Sequence, residues 1–403
     1  MRALLVSRDG NISVIFALMA VVILGAAGLG LDYALWVMQR SAIQEAADAG
    51  ALAGAVELGK GGADAAVRAE VRALAVGAAN LSGAAKSASL NAGADVVAQT
   101  VTVGSSLPGR RSLSAFLLHT DPTLAATATA RVEDRVIACI YALNLSDEKS
   151  MFGNGSALLE GTNCAIQVNS TDAKALENSG SIKATHICVS GGYSGSGFTP
   201  TPRTGCPVID DPFMDLMIPT PGPCKASGLS ITASQSLSAG TYCGGISIAS
   251  SVKATLEPGV YHIVDGDLKI TGGGSLVGDN VVLVLSGIAS LDIAGNGMVR
   301  TTPPQTGALA GFSIVQDRLA PLGGNSKIAG DGQYEFPGII YLPRQTLEIA
   351  GRASGNSYIP TYTAVAADKI VVAGSGELRV TADINHHAAD AMKLAVVNVT
   401  LVK

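Results

Sequence analysis

Ile12-Ser13-Val14-Ile15-Phe16-Ala17-Leu18-Met19-Ala20-Val21-Val22-Ile23-Leu24-Gly25-Ala26-Ala27-Gly28-Leu29-Gly30-Leu31 is free of charge, and Ser13 is its only polar side chain. Twenty helical residues rise about 30 Å, the thickness of a bilayer's hydrocarbon core. The run predicts a transmembrane helix. Three readings of it compete: a cleaved signal peptide, a retained anchor, and a buried soluble helix. A signal peptide has an apolar core of about 7–15 residues, followed by a small-residue cleavage site. This core is longer. The sequence after it, Ala34 to Asp48, contains no Gly or Pro, so the helix is expected to run on. The retained anchor is the favoured reading.

Arg2, Arg8 and Asp9 precede the run, and Asp32 and Arg40 follow it. The basic excess is small but favours an N-terminus inside the cell, with the bulk of the chain periplasmic or exported to the surface. Tyr33 and Trp36 suit the interfacial aromatic belt. Gly25, Gly28 and Gly30, with Ala26 and Ala27, narrow one side of the span, as where membrane helices approach closely.

From Ile43 to Leu58 the sequence is rich in Ala, with Gly50 and Gly54. Such a helix has little side-chain bulk. It is expected to lie against another helix or its own domain. Asp64 to Ala79 reads as a second helix, with Val67, Val71, Leu74 and Ala78 three to four residues apart. Asn80 to Asn91 reads as a polar connection, Asp95 to Val103 as a strand, Leu113 to Leu118 as a short apolar element and Leu124 to Val132 as extended.

Beyond residue 137 the texture changes. Short β-like runs such as Leu268-Lys269-Ile270, Val281 to Leu285 and Leu291-Asp292-Ile293 alternate with Gly, Asn, Asp and Ser. Strands this short suit stacked coils. The expected fold is therefore an N-terminal transmembrane helix, a small α/β region, and a large mainly-β C-terminal domain built as a right-handed parallel β-helix. A β-sandwich is the runner-up. The expected divisions are 1–60 for the membrane anchor and its Ala-rich extension, 61–137 for the α/β region, and 138–403 for the Gly-rich β domain. Phe198 to Pro223 holds seven prolines and cannot sit inside a sheet. It reads as an excursion stapled by Cys206 or Cys224.

Glycine supplies 48 of the 403 residues, aromatics only 4% and charged residues 15%. That texture belongs to secreted β material. The formal charge is -5 with no basic patch, which argues against nucleic acid as a partner. The six cysteines, Cys139, Cys164, Cys188, Cys206, Cys224 and Cys243, show no Cys-x-x-Cys spacing. An even number beyond an anchor suggests disulfides in an oxidising compartment. Fifteen pairings are open. The sequential one gives the shortest loops, and buried free thiols are the alternative.

Asp9 to Leu18, Gly30-Leu31-Asp32-Tyr33 and Gln44-Glu45-Ala46-Ala47-Asp48-Ala49-Gly50-Ala51-Leu52-Ala53-Gly54-Ala55 together resemble the N-terminal segment of the TadG-like proteins of Flp (tight adherence) pilus assembly. Asp32, Tyr33, Gln44, Asp48, Leu52 and Gly54 fall in register with that family, and Gly50 stands where Ala is usual. Cys139 to Leu143, Cys164 to Ser170 and Leu256 to Tyr261 are similar to the Gly-rich β region that follows the anchor in many members. The resemblance implies an inner-membrane protein with a large periplasmic part, working with other pilus-assembly proteins or pilin-like helices. Prepilins of this system are cut after Gly and carry Glu five residues on. Cleavage after Gly10 would place Ile15 there, so Arg2 to Gly10 is expected to be retained.

His119, His186, His262, His386 and His387 show no metal-ligand spacing, though His386-His387 lies near Asp383. Asp265 and Asp267 could point one way as a glycan-cleaving pair, but Gly266 between them reads more simply as a turn. Asp210-Asp211 and Asp331-Gly332 offer oxygen ligands for Ca²⁺, and ordinary turns explain them as well. No catalytic, cofactor or metal residue is assigned and no cofactor is expected. The expected function is a non-enzymatic assembly or stabilising factor for Flp/Tad pili. The alternatives are an adhesin for surface glycan or matrix and, third, a glycan-active enzyme.

Overall fold

The computed structural model describes residues 10–59, 64–112, 114–116, 120–351, 363–381 and 395–402. Arg2, Arg8, Asp9, His119, Asp383, His386 and His387 lie outside them, as does nearly all of the leader expected to be retained. The chain divides into two compact units, residues 1–135 with 397–403, and residues 136–396.

In the first unit, α1 is one helix of 50 residues, Gly10–Gly59. A stretch of 18 residues in it has mean hydropathy 2.6 and is almost wholly exposed, a surface that suits lipid. α2 (Ala65–Asn80) follows, then β1 (Ser89–Asp95), β2 (Thr100–Pro108) and β3 (Thr123–Ala142). β1 and β3 pair antiparallel to either side of β2. Of the single strand expected over 95–103, residues 100–103 do belong to β2, but residues 96–99 form the turn between β1 and β2. Asp95 Oδ1 accepts the N–H groups of Val97 and Ala98 at 2.8 and 2.9 Å, and Gln99 takes φ 54°. An Asp that hydrogen-bonds the backbone two and three residues on competes with the ladder and wins here. Those two bonds also hold the Asp95 carboxyl below its ordinary range.

In the second unit the strands are parallel. Ile248, Ile270, Ile293, Ile328, Ile349 and Val372 are register partners in succession, and all are buried. A second buried row runs Leu283, Ile314, Ile340, Val365, Ile140, Ile166 and Ile187. Each fully buried aliphatic side chain contributes about 1.5–3 kcal/mol relative to exposure. Between the buried positions the outward side chains alternate in sign. Lys269 and Asp292 are cross-strand partners at 2.7 Å, and Lys327 and Glu348 at 2.9 Å.

The expected right-handed parallel β-helix is corrected by these pairings. They close into a circuit of eight parallel strands, a barrel in its connectivity. The circuit runs through Gly240–Ile248, Gly259–Val264, Val281–Ser286, Phe312–Gln316, Gly338–Ala350, Gly324–Gly330, Leu291–Gly295 and Leu268–Ile270, and back to the first. Two long strands close it. Tyr242 and Cys243 pair with Ile263 and Val264, whereas Ile246 to Ile248 pair with Leu268 to Ile270. Gly244 and Gly245, at φ 67° and 84°, let that strand change direction between its two partners. Gly338–Ala350 does the same across a register break between Leu342 and Thr346. Nor does strand order follow chain order. Thr363–Ala373 pairs with Gly338–Ala350 on one side and, within the same unit, with residues 140–142 and Met151–Gly153 on the other.

All six cysteines pair sequentially: Cys139–Cys164, Cys188–Cys206 and Cys224–Cys243. The proline-rich excursion is stapled at both ends and lies on the sheet as a strap. Asn169 donates to Ile209 O at 2.7 Å, and the Phe213 ring packs edge-on against Phe312 and Tyr341 at 5.2 and 5.3 Å. Arg318 donates through Nη1 and Nη2 to the carbonyls of Phe213 and Leu216. The strap explains why Phe312–Gln316 is buried along its whole length, one side facing the core and the other facing Phe213.

Candidate functional site

α1 leaves its apolar run at Leu31 and meets folded structure at the next residue. Asp32 is fully buried. A buried carboxylate is tolerated only when hydrogen-bonded. Asp32 Oδ2 accepts the N–H groups of Ser112 at 3.0 Å and Ser114 at 2.8 Å, and the Ser114 hydroxyl at 2.5 Å. One turn on, on the same helix face, Trp36 Nε1 donates to Arg110 O at 3.0 Å. Between these contacts the loop lies flat on the helix. A Cβ at Gly109 would sit 3.2 Å from Trp36 Cδ1 and 3.0 Å from Pro122 Cγ. The Gly109 N–H donates to Pro122 O at 2.7 Å, and Arg111 pairs with Asp121 at 2.5 Å, closing the loop at its neck.

The helix stays tied beyond the loop. Ser105 Oγ donates to Ile43 O at 3.1 Å, and Gln44 Nε2 donates to Asp48 at 2.7 Å and to Thr127 O at 3.3 Å. The Ala-rich stretch then packs on α2 and the sheet. Ala47, Ala51, Ala55 and Leu58 share a core with Ala65, Ala69, Ala73, Val101 and Ala130. Gly50 and Gly54 set the helix spacing. A Cβ at Gly50 would lie 2.7 Å from Ala73 O, and one at Gly54 would lie 2.8 Å from Val101 Cγ1. The small residues of this stretch are therefore spent inside the unit. The exposed apolar surface of α1 is the span and, just beyond it, Leu35, Val37 and Met38.

The arrangement fixes the direction in which a membrane helix leaves a folded unit. Sequence reading singled out Asp32 only within a family pattern and missed its partners Ser112 and Ser114. The pairing of a lone Asp after an apolar run with a distant Ser-rich, Arg-rich loop was the available signal.

The other candidates lie in the second unit, singly. Asp265 Oδ1 accepts from Ile288 N–H at 3.4 Å, and Asp267 Oδ1 accepts from Ser290 N–H and hydroxyl at 3.2 and 2.7 Å. Both carboxylates thus brace the turn of the neighbouring strand. Asp211 accepts the Tyr341 hydroxyl at 2.5 Å and the Phe213 N–H at 2.9 Å, inside the strap, while Asp210 is exposed. Burial, and then the hydrogen bond to Asp211, push the Tyr341 phenol well above its ordinary range. Asp331 and Gly332 form the turn before Gln333–Glu335. His186 opens the strand His186–Val189, and His262 is buried in Gly259–Val264. Among the described residues no three His, Cys, Asp or Glu side chains gather as metal ligands.

Comparison with known proteins adds one likeness. No curated protein and no solved structure matches the chain. Residues 10–57 match the family described as "Putative Flp pilus-assembly TadE/G-like". The match covers α1 almost from end to end, including Asp32 and the Gly50–Gly54 seam, and the large β unit lies outside it. The N-terminal helix is thus similar to that of this pilus-assembly family, and one helix among the described residues is long and apolar enough to cross a membrane, which supports a single-pass membrane protein with a large extracytoplasmic part.

Proposed function

We propose that this protein is a non-enzymatic factor that assembles or stabilises Flp/Tad pili, anchored in the bacterial inner membrane with its β unit in the periplasm. The family match over residues 10–57 carries the reading. Three features support it. The span presents an almost fully exposed apolar surface to the bilayer and to neighbouring helices. The Asp32 and Trp36 contacts hold that span in a fixed direction relative to its folded unit. The three disulfides suit an oxidising compartment. In this role the working parts are surfaces, and the partners are other pilus-assembly proteins or pilin-like helices in the same membrane.

A clean in-frame deletion, examined by electron microscopy, tests it. Assembled pili are expected to disappear and to return when the full chain is supplied in trans. Normal pili in the deletion strain would refute the proposal. Normal pili with lost adherence would assign the β unit to surface binding instead.

A further inference from the structure

Arginines gather where the span ends. Arg110 is exposed on the loop that Asp32 and Trp36 hold against α1, and Arg40 is exposed on α1 one turn beyond Trp36. Neither has an ion-pair partner among the described residues. Arg111, between them and Asp121, is neutralised by its salt bridge. Tyr33 is 66% exposed at the same level.

The heights follow from helix geometry. Trp36 lies five residues beyond Leu31, about 7.5 Å along the axis. The headgroup layer extends about 5–7 Å beyond the hydrocarbon core on each side. The Trp36 ring leans back toward the membrane, as helical side chains do, so its hydrogen bond to Arg110 holds the loop at the outer edge of the headgroup layer. Arg40 starts about 6 Å further out, but helical side chains lean toward the helix N-terminus, which here is the membrane. A long arginine stem leaning that way can bring its guanidinium back to the phosphates. The glycine at position 109 and the buried Asp32 keep the loop from lifting away.

We propose that Arg40 and Arg110, framed by Tyr33 and Trp36, form a collar that binds the phosphate groups of anionic phospholipid around the exit point of the span. Guanidinium groups bind phosphate through forked hydrogen bonds, and the rings fill the adjoining interface. The site rests on the span's being in a bilayer and is independent of any role in pili.

Trp36 is the only tryptophan of the chain, so its fluorescence reports on this site alone. The full chain is reconstituted in nanodiscs containing a nitroxide on the headgroup of either phosphatidylglycerol or phosphatidylcholine at equal density. Stronger quenching by the labelled phosphatidylglycerol is expected, and its preference should weaken at high salt. Arg40→Ser and Arg110→Ser should each lower the preference about fivefold. Both side chains are exposed, so the thermal unfolding of the variants should match that of the parent. Arg110→Lys should restore most of the preference lost in Arg110→Ser. Equal quenching by the two labels, or a preference unchanged in the double variant, would overturn the proposal. So would its abolition by inorganic phosphate at constant ionic strength, which would assign the arginines to a free anion.

Discussion

Ser114 donates its hydroxyl and its backbone N–H to one oxygen of Asp32, across 82 residues of sequence. The contact joins the first residue after the apolar run to the loop between β2 and β3. It is a charge-assisted contact in a fully buried position, where each such bond is worth about 1.5–3 kcal/mol.

Asp32→Ala removes the acceptor and leaves the Ser112 and Ser114 N–H groups without it. A loss of about 3 kcal/mol in the first unit is expected, with a smaller loss of about 1 kcal/mol for Ser114→Ala. Thermal unfolding in detergent reads the first effect. Limited proteolysis of the 109–122 loop reads release from the helix, and cleavage should appear in Asp32→Ala before the β unit is touched. Unchanged melting and protection would show that the loop is held by Trp36 and Gly109 alone.

The α1–α2 contact gives a steric prediction. A side chain at Gly50 meets a backbone carbonyl, Ala73 O, which cannot swing away. Gly50→Val should cost about 1–3 kcal/mol, the usual range for overpacking. Gly30 offers a control on the same helix, since nothing lies within 4 Å of its added Cβ. Gly30→Ala should be neutral or slightly stabilising, because alanine is the better helix former. Equal effects at the two sites would mean that glycine flexibility, not close approach, is what matters.

How much of this was legible beforehand differs by element. The span, its helical continuation and α2 follow from local pattern, since each is decided by residues within a few turns. The turn after Asp95 was missed because Val96 and Val97 look like strand while one carboxylate redirects the backbone. The closed pairing of the second unit was missed for a deeper reason. Runs such as Leu268-Lys269-Ile270 and Leu291-Asp292-Ile293 state which side chains face inward, but not which strand lies alongside. That choice is made by partners 19 to 35 residues away or more, and by the bend at Gly244-Gly245 that gives one strand two neighbours. The Asp32–Ser114 contact is equally non-local: the lone Asp after the apolar run and the distant Ser- and Arg-rich loop each stand out, but nothing in their spacing joins them.

The disulfides give a prediction about order of unfolding. Cys188–Cys206 and Cys224–Cys243 hold the two ends of the proline-rich strap. Loops of 18 and 19 residues contribute about 3 kcal/mol each through the unfolded chain. Replacing Cys188 and Cys206 together by Ser should lower the melting temperature of the second unit. It should also expose the strap near Met214 and Met217 to protease while the sheet persists. If the strap stays protected, the Phe213 ring contacts and the Arg318 hydrogen bonds suffice to hold it.

His262 gives a pH dependence whose sign is fixed by its surroundings. The imidazole is buried, and burial depresses its pKa below the ordinary imidazole value, with the nearby Asp317 carboxylate opposing the shift. Its Nδ1 is buried without a hydrogen-bond partner among the described residues. The unfolded chain therefore takes up a proton at higher pH than the folded one. Stability is unaffected by this group above the unfolded pKa, falls as pH drops through it, and levels off below the folded pKa. Asp368 acts in the opposite sense. Burial raises its pKa above 3.8, so its cost is present at neutral pH and is relieved as the pH falls toward that value. Urea titrations of the second unit between neutrality and about pH 5 should show the loss due to His262, set against the relief at Asp368, while ordinary carboxylates stay ionised over most of that range. His262→Gln, which cannot titrate, should flatten that segment of the curve. An unchanged slope in His262→Gln would assign the dependence to other groups.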